Sequence, residues 1–474
     1  MMMTTLPTIE QQLSTQFQAQ KLAYNQQPMP TIAQRRSDLK RLKSALLHHQ
    51  DALADALCQD YGHRSKDDTL ISDILPVINN INYCLKRLAK WMKPSRRHAG
   101  LLLAPASVTV HYQPLGVVGV IVPWNFPVML SLGPLALLLA AGNRSMMKLS
   151  EFTPATNQVL KQIISDCFKP DHVAVVEGEA EVASYFSSLA FDHLLFTGST
   201  TVGRYVMRAA SENLTPVTLE LGGKSPVIIA DDMDINTAVE RLIYGKCLNA
   251  GQICVSPDYI LCPSSKVQAF VSAYQQTFCR MYGQVANNPD YGNVINDRQF
   301  SRLLGLIDNA KAQGAQVISA SGESIDINSR KLATQLVLNV SDDMEIMQDE
   351  IFGPLLPIIG YDDLTQAIDY VNNRPRPLAL YLMSFDSATQ QRVLTQTHSG
   401  GVCINETVFH VAADDAPFGG IGPSGMGHYH GHEGFLRFSH AKTVLQRGKL
   451  NTGKLIHPPY GQWIQKLLLK FFLR

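Results

Sequence analysis

The chain contains no Cys-x-x-Cys pair and no dense cysteine framework; its eight cysteines are scattered over 474 residues. That spacing reads as reduced thiols in an intracellular, cytoplasmic protein and argues against a disulfide-stapled secreted scaffold. Residues 1–20 are polar and lack the basic start, apolar stretch and small-residue cleavage site of a secretory signal, so export is not expected. The longest apolar run, 128–141, is broken by Ser131, Gly133 and Pro134 and falls short of the roughly 20 residues needed to span a bilayer. It reads as a buried helix. Charge bias is missing too: 41 basic against 40 acidic residues leave a net charge of +1, with no global electrostatic reason to invoke nucleic acid. Internal repeats and low-complexity segments are absent.

What is present is length enough for two or three domains. Residues 32–61 and 71–92 carry apolar positions at helical spacing, and Pro94 marks a boundary. Strand-like alternation follows in Val108, Val110 and Tyr112, then a continuous apolar run over 116–122. Short apolar runs at 145–149, 173–176 and 193–196 alternate with helical stretches at 156–168 and 179–188. A second set has runs at 227–230 and 259–262 and helices at 236–247 and 266–282. This βαβ rhythm predicts two α/β domains with parallel sheets, divided near 218–225. At the C-terminus, 463–474 places Lys466, Lys470 and Arg474 four apart on one stripe of a basic amphipathic helix. Such a helix can lie in a bilayer interface or dock on protein, its own or a partner's.

Two segments propose a nucleophile and a base. Cys254 ends Asn249-Ala250-Gly251-Gln252-Ile253-Cys254, and Glu220 sits in Leu219-Glu220-Leu221-Gly222-Gly223-Lys224-Ser225-Pro226. A thiol can attack a carbonyl, and a carboxylate can activate the water that releases the acyl group. Against this, any one of eight cysteines is first a small buried apolar residue. The glycine-containing approach and the Ser256-Pro257 bend raise the functional reading, and the apolar flanks of Glu220 predict partial burial and a raised pKa. Asn125, between prolines in Pro123-Trp124-Asn125-Phe126-Pro127, could donate to an oxyanion, although such turns are common.

Phe196-Thr197-Gly198-Ser199-Thr200-Thr201-Val202-Gly203 joins a predicted strand to a predicted helix, where free N–H groups could face a pyrophosphate. It lacks Gly-x-Gly-x-x-Gly spacing and would serve equally as a tight turn. Lys148-Leu149-Ser150-Glu151 ends an earlier strand, with ribose hydroxyls or solvent as alternative partners for its charges. His428, His430 and His432 would point to one side of an extended backbone as metal ligands might, but the segment is glycine-rich and no cysteine or carboxylate cluster joins them. No metal is assigned.

In combination these motifs, with Glu350-Ile351-Phe352-Gly353-Pro354 and Pro417-Phe418-Gly419-Gly420 in the same order, resemble the NAD(P)-dependent aldehyde dehydrogenase superfamily over about 32–444. Gly401-Val402-Cys403-Ile404-Asn405-Glu406-Thr407 and Ser424-Gly425-Met426-Gly427-His428-Tyr429-His430-Gly431 are similar to its class 3 branch of fatty and aromatic aldehyde enzymes. Gly62-His63-Arg64-Ser65 and Phe409-His410-Val411 through Asp414-Asp415 are most similar to bacterial coniferyl aldehyde dehydrogenases.

The resemblance implies an α/β fold of two Rossmann-like parallel-sheet domains and a small β bridging element. It implies an NAD(P)-binding domain over 1–96 and 114–219, a catalytic domain over 220–405 and a bridging or oligomerisation element at 97–113 and 432–445. A return segment at 406–431 would line the active site, and 446–474 would form a tail. It implies Cys254 as nucleophile, Glu220 as deacylation base and Asn125 with the Cys254 N–H as oxyanion hole. Cofactor contacts are implied for Trp124, Lys148, Ser150, Glu151, Gly198, Ser199, Gly203, Leu221, Gly222, Glu350 and Phe352. NAD is the expected cofactor, with NADP as alternative, an aldehyde the substrate and a homodimer the expected assembly. Phe126 departs from the tyrosine common in animal class 3 enzymes, so a phenol hydrogen bond is lost. A CoA-acylating enzyme and a membrane-associated non-catalytic member are the rival readings.

Overall fold

The computed structural model describes residues 8–327 and 329–473. Helices open the chain, each with a local cause. The helix Ile32–His48 starts at a capping box in which Thr31 and Gln34 satisfy each other's backbone N–H groups, and it buries Leu39, Leu42 and Leu46. The helix Gln50–Tyr61 stops at Gly62, whose φ of 75° is left-handed. A helical turn Lys66–Thr69 passes through a π-helical turn, Leu70–Ile74, into the helix Leu75–Trp91. A further helix, Ile9–Gln26, precedes these.

The apolar run forms the helix Met129–Ala141, buried along most of its length. Pro134 inside it costs about 3 kcal/mol. Each buried leucine contributes about 1.5–3 kcal/mol, and Leu132, Leu135, Leu137, Leu138 and Leu139 are all buried. Burial therefore outweighs the lost backbone bond.

Three sheets organise the rest. The six-stranded sheet runs in the order Gly425–Met426, Val217–Leu221, His193–Gly198, Val117–Ile121, Arg144–Lys148, Val173–Val176. All its pairings are parallel except that of Gly425–Met426. Chain order reverses between Val117–Ile121 and His193–Gly198, so a crevice opens at their carboxyl ends where ligands of such sheets bind. The seven-stranded sheet has the order Gln316–Ser319, Gln335–Leu338, Leu355–Tyr361, Tyr259–Pro263, Pro226–Ile229, Ala379–Met383, Gly401–Ile404. It is parallel apart from its first pair. The strand Val217–Leu221 pairs wholly within the six-stranded sheet, so the chain changes sheets in residues 222–225. A third sheet joins Ser95–Arg97, Ser107–Pro114 and Ser439–Gln446.

The alternating histidines do not share a side. His432 lies in the helix Gly431–Arg437 and stacks on Trp91, whereas His430 is buried against Phe418 and His428 is exposed, because a helix rather than extended backbone follows His430. The C-terminal helix forms over Trp463–Phe472. Lys466 and Lys470 lie on it; Arg474 lies outside the described residues. Among the described residues no helix is long and apolar enough to cross a membrane.

Candidate active site

Both candidate loops of the seven-stranded sheet enter at the amino ends of their strands: 248–258 leads into Tyr259–Pro263, and 349–354 into Leu355–Tyr361. Glu220 and Trp124-Asn125 lie at or just beyond the carboxyl ends of strands in the other sheet. The two edges face each other, and the candidate residues meet between them.

The cysteine loop is wound tightly. Asn249, Ala250 and Gly251 all have positive φ, at 48°, 52° and 73°. Left-handed non-glycine residues cost about 1–2 kcal/mol each, and they persist only where neighbours hold them. Asn249 Nδ2 donates to the Asn125 carbonyl at 3.1 Å and lies within 3.3 Å of both Tyr61 Oη and the Gln252 carbonyl. The buried Gln252 donates to the carbonyls of Asn249 and Asn293 and accepts from the Ile295 N–H. At Gly251 a β-carbon would sit 2.6 Å from the Gly353 carbonyl oxygen, so only glycine lets the two loops touch.

Asn125 is buried, and its side-chain amide donates to the Gln252 carbonyl at 3.1 Å, two residues before Cys254. An amide nitrogen carries two hydrogens. One fixes the plane of the group, and the other remains for a second acceptor near Cys254.

Glu220 is 3% exposed, and neither of its carboxylate oxygens has a hydrogen-bond partner among the described residues. Burial pushes its pKa well above the ordinary carboxylate value, against a smaller opposing pull from Arg437. Burial also raises the Cys254 thiol, with the charges of Glu350 and Glu220 adding to the effect. The charges of both carboxylates reach the thiol, so the three groups belong to one site. Glu350 is lifted to about 8 by burial first and Asp258 second, while a Gly223 backbone hydrogen bond, Lys224 and Arg302 pull it down. Its Oε1 has no partner among the described residues.

The remaining candidates form two groups. Trp124 and Phe352 meet edge to face at 5.2 Å, and Gly222 lies against the Glu350 carboxylate, all beside the cysteine loop. The second group lines the sheet crevice. Lys148 Nζ binds Glu151 Oε2 at 2.9 Å, while Ser150 turns its hydroxyl back to accept the Phe152 N–H. Ser199 caps the helix Thr200–Ser211 just after Gly198. Gly203 packs on Leu221 so closely that a β-carbon would come within 2.6 Å of it. The helix terminus at Ser199, Thr201 and Val202 is exposed beyond the strand ends, and the partnerless Glu350 oxygen supplies an acceptor for a hydroxyl. Both features fit a dinucleotide.

A match to the aldehyde dehydrogenase family covers residues 8–444. The chain belongs to the aldehyde dehydrogenase family. It is 56% identical over 463 residues to a probable coniferyl aldehyde dehydrogenase of Pseudomonas aeruginosa, covering 98% of this chain and 97% of that protein. Among solved structures it is similar to the substrate-bound state of Staphylococcus aureus AldH, with TM-score 0.93, 37% identity and 98% and 99% of the two chains covered. It is also similar to a Mycobacterium tuberculosis aldehyde dehydrogenase complexed with NAD+, with TM-score 0.84, 28% identity and coverage of 94% and 92%.

In this aldehyde dehydrogenase further residues surround the site, several of them outside the motifs named above. Lys224 pairs with Asp258 and donates to the carbonyls of Ile346 and Asp349, and Asp258 accepts the Ile351 N–H at 2.9 Å. The pair thus pins both neighbours of Glu350. Tyr381 donates to the Val255 carbonyl from below the cysteine loop. Phe126, Met129, Leu130, Val411 and Phe418 pack in one apolar cluster with Cys254. Such contacts between distant positions leave no local sequence signal.

Proposed function

We propose that this aldehyde dehydrogenase oxidises aromatic aldehydes of the coniferyl type to carboxylic acids, with Cys254 as nucleophile, Glu220 as base and Asn125 as oxyanion donor. The observation that carries the reading is a partnerless, buried Glu220 beside Cys254, with one Asn125 amide hydrogen unused. Cys254 releases its proton to solvent, and its thiolate Sγ attacks the aldehyde carbon. The developing oxyanion accepts from Asn125 Nδ2 and the Cys254 N–H; losing one such donor costs about a hundredfold or more. NAD held in the crevice would supply the hydride acceptor by which the aldehyde carbon reaches the acyl level as a thioester of Cys254. Glu220 then takes a proton from water as its oxygen attacks the thioester carbonyl, and the Cys254 thiolate leaves.

Lys148, Ser150, Glu151, Gly198, Ser199 and Gly203 would hold the adenosine and pyrophosphate parts of NAD. Trp124, Leu221, Gly222, Glu350 and Phe352 would hold the nicotinamide end. The Glu151 carboxylate would favour NAD by binding ribose hydroxyls and repelling a 2′-phosphate. The apolar cluster at Cys254 suits an aromatic ring, and the resemblance to the P. aeruginosa protein, named a probable coniferyl aldehyde dehydrogenase, supports the substrate class. Glu220 speaks against a CoA-acylating enzyme, which needs no hydrolytic base.

The sheets support the division into a cofactor domain over 1–96 and 114–219, a catalytic domain over 220–405 and a bridging element at 97–113 and 432–445, with two shifts at the borders: residues 220 and 221 pair within the cofactor sheet, and residues 95 and 96 within the bridging sheet; residues 1–7 lie outside the described residues. Residues 406–431 would line the site, and Phe418 is their contribution to the cluster. The exposed outer edge of Ser439–Gln446 supports a homodimer, since an unpaired strand edge invites pairing. The tail helix 463–472 exposes Trp463, Leu467 and Phe471 at 73%, 59% and 66%, which supports peripheral membrane contact of a cytoplasmic enzyme.

The test is NADH formation with coniferaldehyde, benzaldehyde and a straight-chain aldehyde of about ten carbons, a length suited to an apolar pocket. Preference for coniferaldehyde is expected. Preference for the aliphatic aldehyde would redirect the substrate class, and CoA-dependent turnover would overturn the hydrolytic mechanism.

A further inference from the structure

The segment Gly62-His63-Arg64-Ser65 carries part of the subgroup resemblance yet takes no part in the chemistry above. Its arginine is fully buried and reaches the site from behind. Arg64 Nη1 donates to the main-chain carbonyl of Asn125 at 3.0 Å. The same oxygen accepts from Tyr61 Oη and from Asn249 Nδ2, each at 3.1 Å. Three donors on one carbonyl leave residue 125 little freedom to rotate. The guanidinium also lies 5.2 Å from the Tyr61 ring centroid and 4.9 Å from that of Phe126.

The charge of Arg64 is met by Asp73, whose Oδ2 is 3.0 Å from Nη2, with both side chains fully buried. Asp73 Oδ1 accepts the Met129 N–H at 2.9 Å. The pair therefore grips the 125–129 segment at both ends. Asp73 belongs to the π-helical turn Leu70–Ile74, and such turns, which shift side chains out of α register, are frequent at functional sites. Buried ion pairs add little net stability over apolar replacements, so stability alone gives weak reason to keep this one. A planar fork can hold the Asn125 carbonyl, Ser72 Oγ and Asp73 at once, as a lysine point charge cannot.

We propose that Arg64, held by Asp73, is a positioning residue of the oxyanion hole: it fixes Asn125 through its main-chain carbonyl and so keeps the side-chain amide aimed at the reacting oxygen. The inference rests on Asn125 being the oxyanion donor. A misplacement of about 1 Å can cost about a hundredfold in rate.

The experiment compares wild type, Arg64→Met, Asn125→Ala and the double variant in single-turnover acylation, read as the burst of NADH. Asn125→Ala is expected to slow acylation about a hundredfold or more. Arg64→Met is expected to slow it about ten- to a hundredfold, with KM for NAD unchanged, and the double variant should be no slower than Asn125→Ala alone. Wild-type acylation by Arg64→Met, or losses that multiply in the double variant, would overturn the positioning role while leaving Asn125 its own. Wild-type acylation by Asn125→Ala would overturn the oxyanion assignment and the inference together. Should Arg64→Met not fold, Arg64→Lys keeps the charge without the fork; it should show the same loss and the same non-additivity, and full activity would overturn the proposal.

Discussion

The Glu350 carboxylate occupies the space that a β-carbon on residue 222 would fill, so Gly222 is the residue that lets Glu350 lie beside the cysteine loop. The carboxylate cannot retreat freely, because Lys224 and Asp258 hold both its neighbours.

Gly222→Ala should therefore displace Glu350 without unfolding the protein. On the proposed role of Glu350 at the nicotinamide end, the variant should raise KM for NAD and lower kcat about tenfold or more, as expected for misplaced reacting groups. Steady-state kinetics with varied NAD check this, and wild-type constants would contradict the role given to Glu350.

The raised carboxyls set a pH dependence in two observables. Glu220 is raised above the ordinary carboxylate range, so its basic form grows as pH rises, and deacylation should fall on the acid side. Stability runs the other way. A carboxyl whose pKa is higher folded than unfolded contributes stability below its unfolded value and loses it as pH rises through the folded value. For Glu350 that window runs from about 4.5 to about 8. Thermal unfolding of the cofactor-free enzyme across this range should show the decline, and Glu350→Gln should flatten it.

Glu151 pairs with the buried Lys148 at the edge of the crevice. Glu151→Gln should lose discrimination against the 2′-phosphate, raising kcat/KM for NADP relative to NAD. The ratio at subsaturating cofactor measures it, and an unchanged ratio would remove Glu151 from the cofactor site.

The tail helix carries Lys466 and Lys470 beside exposed apolar residues. Removing residues after Pro459 should abolish co-sedimentation with anionic lipid vesicles and leave NADH formation intact. Equal co-sedimentation of both forms would dismiss the membrane role.

The parallel sheets were legible because their strands are continuous apolar runs bounded by helices, as at 116–122 and 227–230. Cys254, Glu220 and Asn125 stood out as candidates because each sits in a short motif whose chemistry is local. What escaped is non-local or conformational. The arginine at 64 is spelled out in the sequence, but nothing there says that it reaches a carbonyl 61 residues further on. Nor does apolar spacing reveal that the run 71–92 begins in a π-helical turn, since its apolar residues read equally well in α register. The histidines at 428, 430 and 432 show the converse: period-two spacing means a shared face only in extended backbone, and a helix takes over at Gly431.

The most direct test of the account is the intact mass of Glu220→Gln after mixing with NAD and coniferaldehyde. With the base removed, deacylation should stall: one NADH per active site forms, and the protein gains one acyl group, mapped to Cys254 and absent in Cys254→Ser. Sustained wild-type turnover by Glu220→Gln, or NADH formation by Cys254→Ser, would contradict the assignment of nucleophile and base.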